Sequence, residues 1–105
     1  LMRSSAASDV YKRQLMKGAR LGFLPAEYST YGQKAFKGIC DTYLSTVEGE
    51  MSLGGICLVA GLGPDSNPRR DGTYEYYMSE PVVKDDAKGT APFLLAYAEM
   101  CRLEA

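Results

Sequence analysis

Residues 25–44, PAEYSTYGQKAFKGICDTYL, carry the reading on which the fold turns. Tyr28, Gly32, Ala35, Ile39, Tyr43 and, beyond them, Val47 recur at spacings of three and four, with Phe36, Cys40 and Leu44 alongside. One broad face of a helix is therefore apolar. Pro25 suits the first turn, where its missing N–H would be unpaired in any case. The pattern predicts a helix from Pro25 to Leu44 or Ser45. On its N-terminal side, residues 15–24 have helical composition weakened by Gly18 and Gly22 and read as the end of another helix. The break at Leu24 is short, so the two helices are expected as antiparallel neighbours, an αα-hairpin.

Toward the C-terminus the texture changes. Residues 56–60 form a short apolar run between Gly54, Gly55 and Gly61, Gly63, which reads as a buried strand or a short buried helix. Residues 64–72 are dense in Pro, Asp, Asn, Ser and Gly and predict a loop. Residues 74–78 have the propensity for a short strand and equally suit an ordered loop. Residues 85–89 read as a turn, after which Thr90 caps a final helix that accepts Pro92 in its first turn. Phe93, Leu94, Tyr97, Met100, Cys101 and Leu103 give that helix a buried face. The expectation is an all-α core without a sheet of three or more strands. In it the helix from Pro25 packs on the last helix through Phe36, Ile39, Tyr43, Phe93, Leu94 and Tyr97. Two or three amphipathic helices make a poor independent domain, and their missing partners are expected upstream.

Composition removes several functions. The 105 residues include 12 basic and 13 acidic side chains without a cluster of one sign, so the footprint of a nucleic-acid or polybasic membrane binder is missing. The longest apolar runs fall far short of the roughly 20 residues of a membrane helix. With no histidine, the chain cannot by itself build a Ser-His or Cys-His nucleophile pair. Cys40, Cys57 and Cys101 lack zinc spacing, lie in apolar segments and read as buried free thiols, with no disulfide framework. Gly61, Leu62 and Gly63 are followed by no GK[ST], which removes a phosphate loop. No metal or cofactor is implied.

The N-terminus reads differently from the rest. Residues 4–14, SSAASDVYKRQ, match at every codon the in-frame translation of a transposase-type sequencing adapter. Residues 1–14 are therefore expected to be no domain and to make no stable contact with residues 15–105. Without them the remainder has 9 basic and 12 acidic residues and is mildly acidic. On this reading upstream sequence, including any signal peptide, is absent from the chain, and localisation is not legible.

Three stretches then form a recognisable series: VAGLG at 59–63, RDGTYEYYMSEPV at 70–82 and DDAKGTAPFLLAYAEM at 85–100. In order and spacing they resemble the C-terminal end of the unsaturated rhamnogalacturonyl hydrolases, glycoside hydrolase family 105. KGARLGFLPAEYSTYGQKAFKGI at 17–39 is similar to that family's penultimate helix pair, so the resemblance spans residues 15–100. Ala91 stands where the family usually has glycine, Asp85 where asparagine is common, and the loop at 64–68 is longer than usual. The resemblance implies an (α/α)6 toroid of the six-hairpin glycosidase type, of which residues 15–105 supply the closing part, in a bacterial enzyme of the cytoplasm or periplasm. It also implies the chemistry. An aspartate hydrates the C4=C5 bond of the unsaturated uronic acid at the end of a pectin-derived oligosaccharide, and the resulting hemiketal opens. That aspartate, with the His and Trp of the pocket, belongs to the upstream half, so no residue here is assigned as catalytic.

Within that frame Arg70 and Lys88 are candidates for substrate contact, because a basic group at a loop end can pair with a uronate carboxylate. The structural alternative is a surface charge or a salt bridge to Asp71 or Asp86. Tyr74 and Tyr77 offer rings and hydroxyls that hold sugars. Clustered tyrosines are also packing anchors, and at least one of Tyr74, Tyr76 and Tyr77 is expected in the core. Asp86 is the fifth candidate, while Asp71 reads as a turn cap. A different class of protein fits the same residues: a carbohydrate-binding or scaffold protein on a helical toroid without catalysis.

Overall fold

The computed structural model describes residues 5–59 and 61–104. Helix α1 (Ser5–Arg20) and helix α2 (Glu27–Tyr43) are joined by a short turn and pack on one another. Strands β1 (Leu44–Val47) and β2 (Glu50–Leu53) form an antiparallel hairpin. Then come β3 (Ile56–Cys57), a long loop, α3 (Tyr74–Ser79), β4 (Val82–Val83) paired antiparallel to β3, and α4 (Ala87–Leu103). Both sheets have two strands among the described residues.

Close approach of α1 to α2 depends on Gly32. A Cβ built there would lie 2.7 Å from Met16 Cγ and 3.1 Å from the Lys12 carbonyl oxygen, so a larger residue would push the helices apart. Met16, Phe36 and Ala96 then form one buried cluster. Ile39, Leu53 and Ile56 form a second, and Phe93 packs against both. Phe36 and Phe93 are stacked, with ring centroids 5.1 Å apart. Across the opposite flank of α1, Arg20 makes a bidentate pair with the buried Glu99 of α4, both bonds 2.9 Å.

The expected helix from Pro25 and the final helix are both present, as is the loop through residues 64–72. The all-α expectation needs correction, because two short hairpin-like pairs line the helices. The α2 helix stops at Tyr43, and Val47, which extended its apolar period, is an exposed strand residue. Glu48 (φ 52°) and Gly49 (φ 83°) both adopt the left-handed conformation of a two-residue hairpin turn. That turn ends the helical reading.

Residues 74–78 are helical rather than extended. Thr73 caps them by accepting a hydrogen bond from the Tyr76 N–H at 3.1 Å, and capping overrides the strand propensity of the tyrosines. The last helix begins a turn earlier than expected, with Asp86 and not Thr90 as its cap. Pro92 therefore lies inside the helix and removes the bond to the Lys88 carbonyl. Leu94 and Tyr97 are largely exposed, so α2 meets α4 chiefly through Phe36, Ile39 and Phe93. Of the thiols, Cys57 is buried, Cys40 half-buried and Cys101 exposed, which corrects the expectation of three buried thiols.

The expected independence of the N-terminal segment also needs correction where it is described. Residues 1–4 lie outside the described residues. Val10 and Tyr11 are exposed, as a loosely attached segment requires, but Lys12 is only 5% exposed and its carbonyl lies against Gly32. Extending an existing helix adds one hydrogen bond per residue fixed, without a new nucleus. A string rich in Ala, Lys, Arg and Gln therefore continues α1 whatever its origin.

Candidate substrate site

Two loops carry the candidate residues. Asp86 opens α4: its carboxylate accepts the Lys88 N–H at 2.9 Å and pairs with the Lys88 ammonium at 3.0 Å. The cap explains why the Asp86 carboxyl is held below its ordinary range, with the backbone hydrogen bond from Lys88 as the main cause. Immediately before it, Asp85 has φ 59°. A short polar side chain tolerates that conformation. Its carboxylate accepts the Leu53 N–H at 2.9 Å and the Ser52 hydroxyl at 2.8 Å, pinning the β1–β2 hairpin to the start of α4.

The second group lies on the loop before α3 and on α3 itself. Arg70 is half-buried, its carbonyl accepts the Gly63 N–H at 2.9 Å, and its Nε donates to the Tyr76 hydroxyl at 3.1 Å. Tyr76 is the buried tyrosine of the three, Tyr77 is half-buried and Tyr74 is exposed. Asp71 caps the turn, accepting from both the N–H and the hydroxyl of Thr73. A cavity of about 380 Å³ lies within this loop, its lining including Leu62, Pro64, Asp65, Asn67, Arg70 and Asp71.

Sequence reading missed Arg69 and Glu80. Glu80 is 2% exposed, and Arg69 donates to it at 2.8 Å while its guanidinium lies 5.4 Å from the Tyr76 ring centroid. The Tyr76 hydrogen bond is the main cause holding the Glu80 carboxyl below its ordinary range, ahead of the Arg69 charge and against burial. Glu80 just before Pro81, with two arginines ten and eleven residues upstream, was a faint signal. Only the fold brings them together.

The comparisons follow the same residues. The model of Glycosyl Hydrolase Family 88 matches residues 2–104. The chain belongs to that family. It is 43% identical over 100 residues to Protein Atu3128 of Agrobacterium fabrum strain C58 and to the 24.9 kDa protein in picA locus of Rhizobium radiobacter. In each case the match takes in 90% of this chain and 43% of the relative. Among solved structures it is similar to a glycoside hydrolase from family 105 of C. acetobutylicum ATCC 824, with a TM-score of 0.81 and 40% identity. That match covers 91% of this chain and 26% of the hydrolase. The chain thus spans less than half the length of the proteins it matches.

Acid should unfold this member of the family through its carboxylates. Glu99 is held below its ordinary value of 4.5 chiefly by the Arg20 hydrogen bond, Glu80 by Tyr76, and Asp85 below 3.8 by the Leu53 N–H. A carboxyl depressed on folding stabilises fully above its unfolded pKa, and this contribution is lost as pH falls through the folded value. Thermal melts followed by circular dichroism should give a Tm that is flat from neutrality to about pH 5 and falls below about pH 4.5. Glu99→Gln should flatten that fall. An unchanged pH slope in this variant would remove Glu99 from the account.

Proposed function

We propose that this chain is the closing, C-terminal part of a glycosidase that removes the 4,5-unsaturated uronic acid from rhamnogalacturonan oligosaccharides. The observation that carries the reading is the match to the family 105 hydrolase at TM-score 0.81 and 40% identity. In this reading the reaction is a hydration. A carboxylic acid protonates C4 of the C4=C5 bond, water adds at C5, and the hemiketal opens to release the shortened sugar. The acid comes from the part of the enzyme outside this chain. Among the described residues the well-connected carboxylates serve structure: Asp71, Asp85 and Asp86 cap backbone, while Glu80 and Glu99 neutralise arginines.

The chain's own contribution is a wall that binds and orients. Arg70 pairs with a uronate carboxylate, Tyr74 and Tyr77 offer ring faces to the sugar, and Asp86 with Lys88 forms the rim at the start of α4. An oligosaccharide is the partner, together with the preceding helices of the same toroid. Residues 1–14 are in this proposal a translated adapter, since the packing of Lys12 concerns helix continuation and not ancestry.

A chimera tests the function. The matching quarter of the C. acetobutylicum hydrolase is replaced by this chain, and both proteins are assayed with unsaturated rhamnogalacturonan disaccharide. The expected result is loss of the double bond's ultraviolet absorbance with parent and chimera, and none with the parent truncated at the junction. A folded chimera that binds the disaccharide without consuming it would favour a non-catalytic carbohydrate-binding protein.

A further inference from the structure

Arg70 is held in an unusual way for a loop arginine. Its Nε donates to the Tyr76 hydroxyl, while among the described residues no hydrogen bond or ion pair engages its two Nη groups. Arg70 lines the 380 Å³ loop cavity together with two acids, Asp65 and Asp71, of which Asp71 is already engaged by Thr73. A guanidinium fixed at Nε keeps its Nη edge available, and that edge matches the two oxygens of a carboxylate. The fixing group is itself fixed. Tyr76 is buried in α3 with the Arg69 guanidinium near its ring, and Arg69 is tied to the buried Glu80 and to the Ser79 hydroxyl at 3.1 Å.

Glu80, 2% exposed, accepts from Arg69 at 2.8 Å, and that guanidinium stands over the Tyr76 ring, 5.4 Å from its centroid. The order is therefore Glu80 to Arg69, Arg69 to the Tyr76 ring, and the Tyr76 hydroxyl to Arg70.

We propose that Tyr76 and Glu80 are positioning residues that hold Arg70 as a carboxylate-binding fork for a uronate of the oligosaccharide. This rests on the reading of the chain as part of a uronate-directed glycosidase. It goes beyond that reading in naming a relay that fixes the fork and predicts selectivity for acidic over neutral sugars.

The test uses the full 105-residue chain, with D-galacturonate as probe and D-galactose as the neutral control, each titrated by NMR. Three variants are compared. Arg70→Lys removes the fork, Tyr76→Phe keeps the buried ring but removes the hydroxyl, and Glu80→Gln keeps shape but removes the charge.

The wild type is expected to prefer galacturonate. Arg70→Lys should abolish the preference, and Tyr76→Phe should weaken galacturonate binding about tenfold, the scale of a hydrogen bond to a charged group. Galactose binding should not change. A Tyr76→Phe chain with native circular dichroism separates positioning from folding, since a merely structural role would leave the acid-to-neutral ratio unmoved. Loss of preference in Arg70→Lys without change in a folded Tyr76→Phe or Glu80→Gln chain would overturn the relay alone. Equal binding of the two sugars by the wild type, or no binding of galacturonate, would overturn the relay and the assignment of Arg70 to the uronate together. The chimera assay would stand or fall independently of either.

Discussion

Phe36→Ala is expected to cost about 3–5 kcal/mol of folding stability, measured by urea unfolding. A domain of this size holds only about 5–15 kcal/mol in total, so the variant should be largely or partly unfolded at room temperature. The reason is position. Phe36 is buried beside Met16 and Ala96, and its ring stacks on Phe93, the residue that also packs against Ile39, Leu53 and Ile56. Truncation opens a cavity at the joint of the two clusters, next to an existing apolar groove of about 330 Å³ bounded by Leu44, Met51, Leu94 and Tyr97. Phe36→Leu, which fills most of the space, should cost clearly less. A loss below about 1 kcal/mol for the alanine variant would mean that the site collapses freely and that the stack is not the joint.

Expressed alone, residues 15–105 should show no turnover of unsaturated rhamnogalacturonan disaccharide above buffer and should associate. Enzymatic rate enhancements of about 10⁶ or more require an acid placed at the reacting carbon. The carboxylates with resolved bonds here are committed to caps and ion pairs. Association follows from surface chemistry. Leu94 is 61% exposed and Met51 65% exposed on the rim of the apolar groove, and contiguous exposed apolar surface drives self-contact. Size-exclusion chromatography should show species larger than a monomer, and the double variant Leu94→Lys, Met51→Lys should move the profile toward the monomer. Turnover by the purified segment would place a catalytic group within these residues, against the proposed division of labour.

Periodicity carried the helices because burial acts on whole faces. The three-four spacing from Tyr28 to Tyr43 and the apolar residues around Phe93 needed no knowledge of partners to be read as helix. The same rule failed at Val47, where an apolar residue at the next helical spacing belongs to an exposed hairpin strand; the local chemistry of Glu48 and Gly49 decided it. Residues 74–78 suited a short strand or an ordered loop, while one hydroxyl, that of Thr73, settled the helix by satisfying a terminal N–H.

The candidate site divides in the same way. Arg70, Tyr74, Tyr77, Asp86 and Lys88 were selected by residue type and by resemblance, since charge and aromatic character are visible in one dimension. That Asp86 and Lys88 satisfy one another follows from local geometry across two positions, and was within reach of sequence reasoning. That Glu80 is buried, and that Tyr76 links it to Arg70, depends on a loop folding back over a short helix. By itself, then, the sequence determined the helical faces, the family and the kinds of side chain available. Only the tertiary structure decided which charges are buried, because burial of a polar group depends on partners brought from other segments to offset its lost hydration.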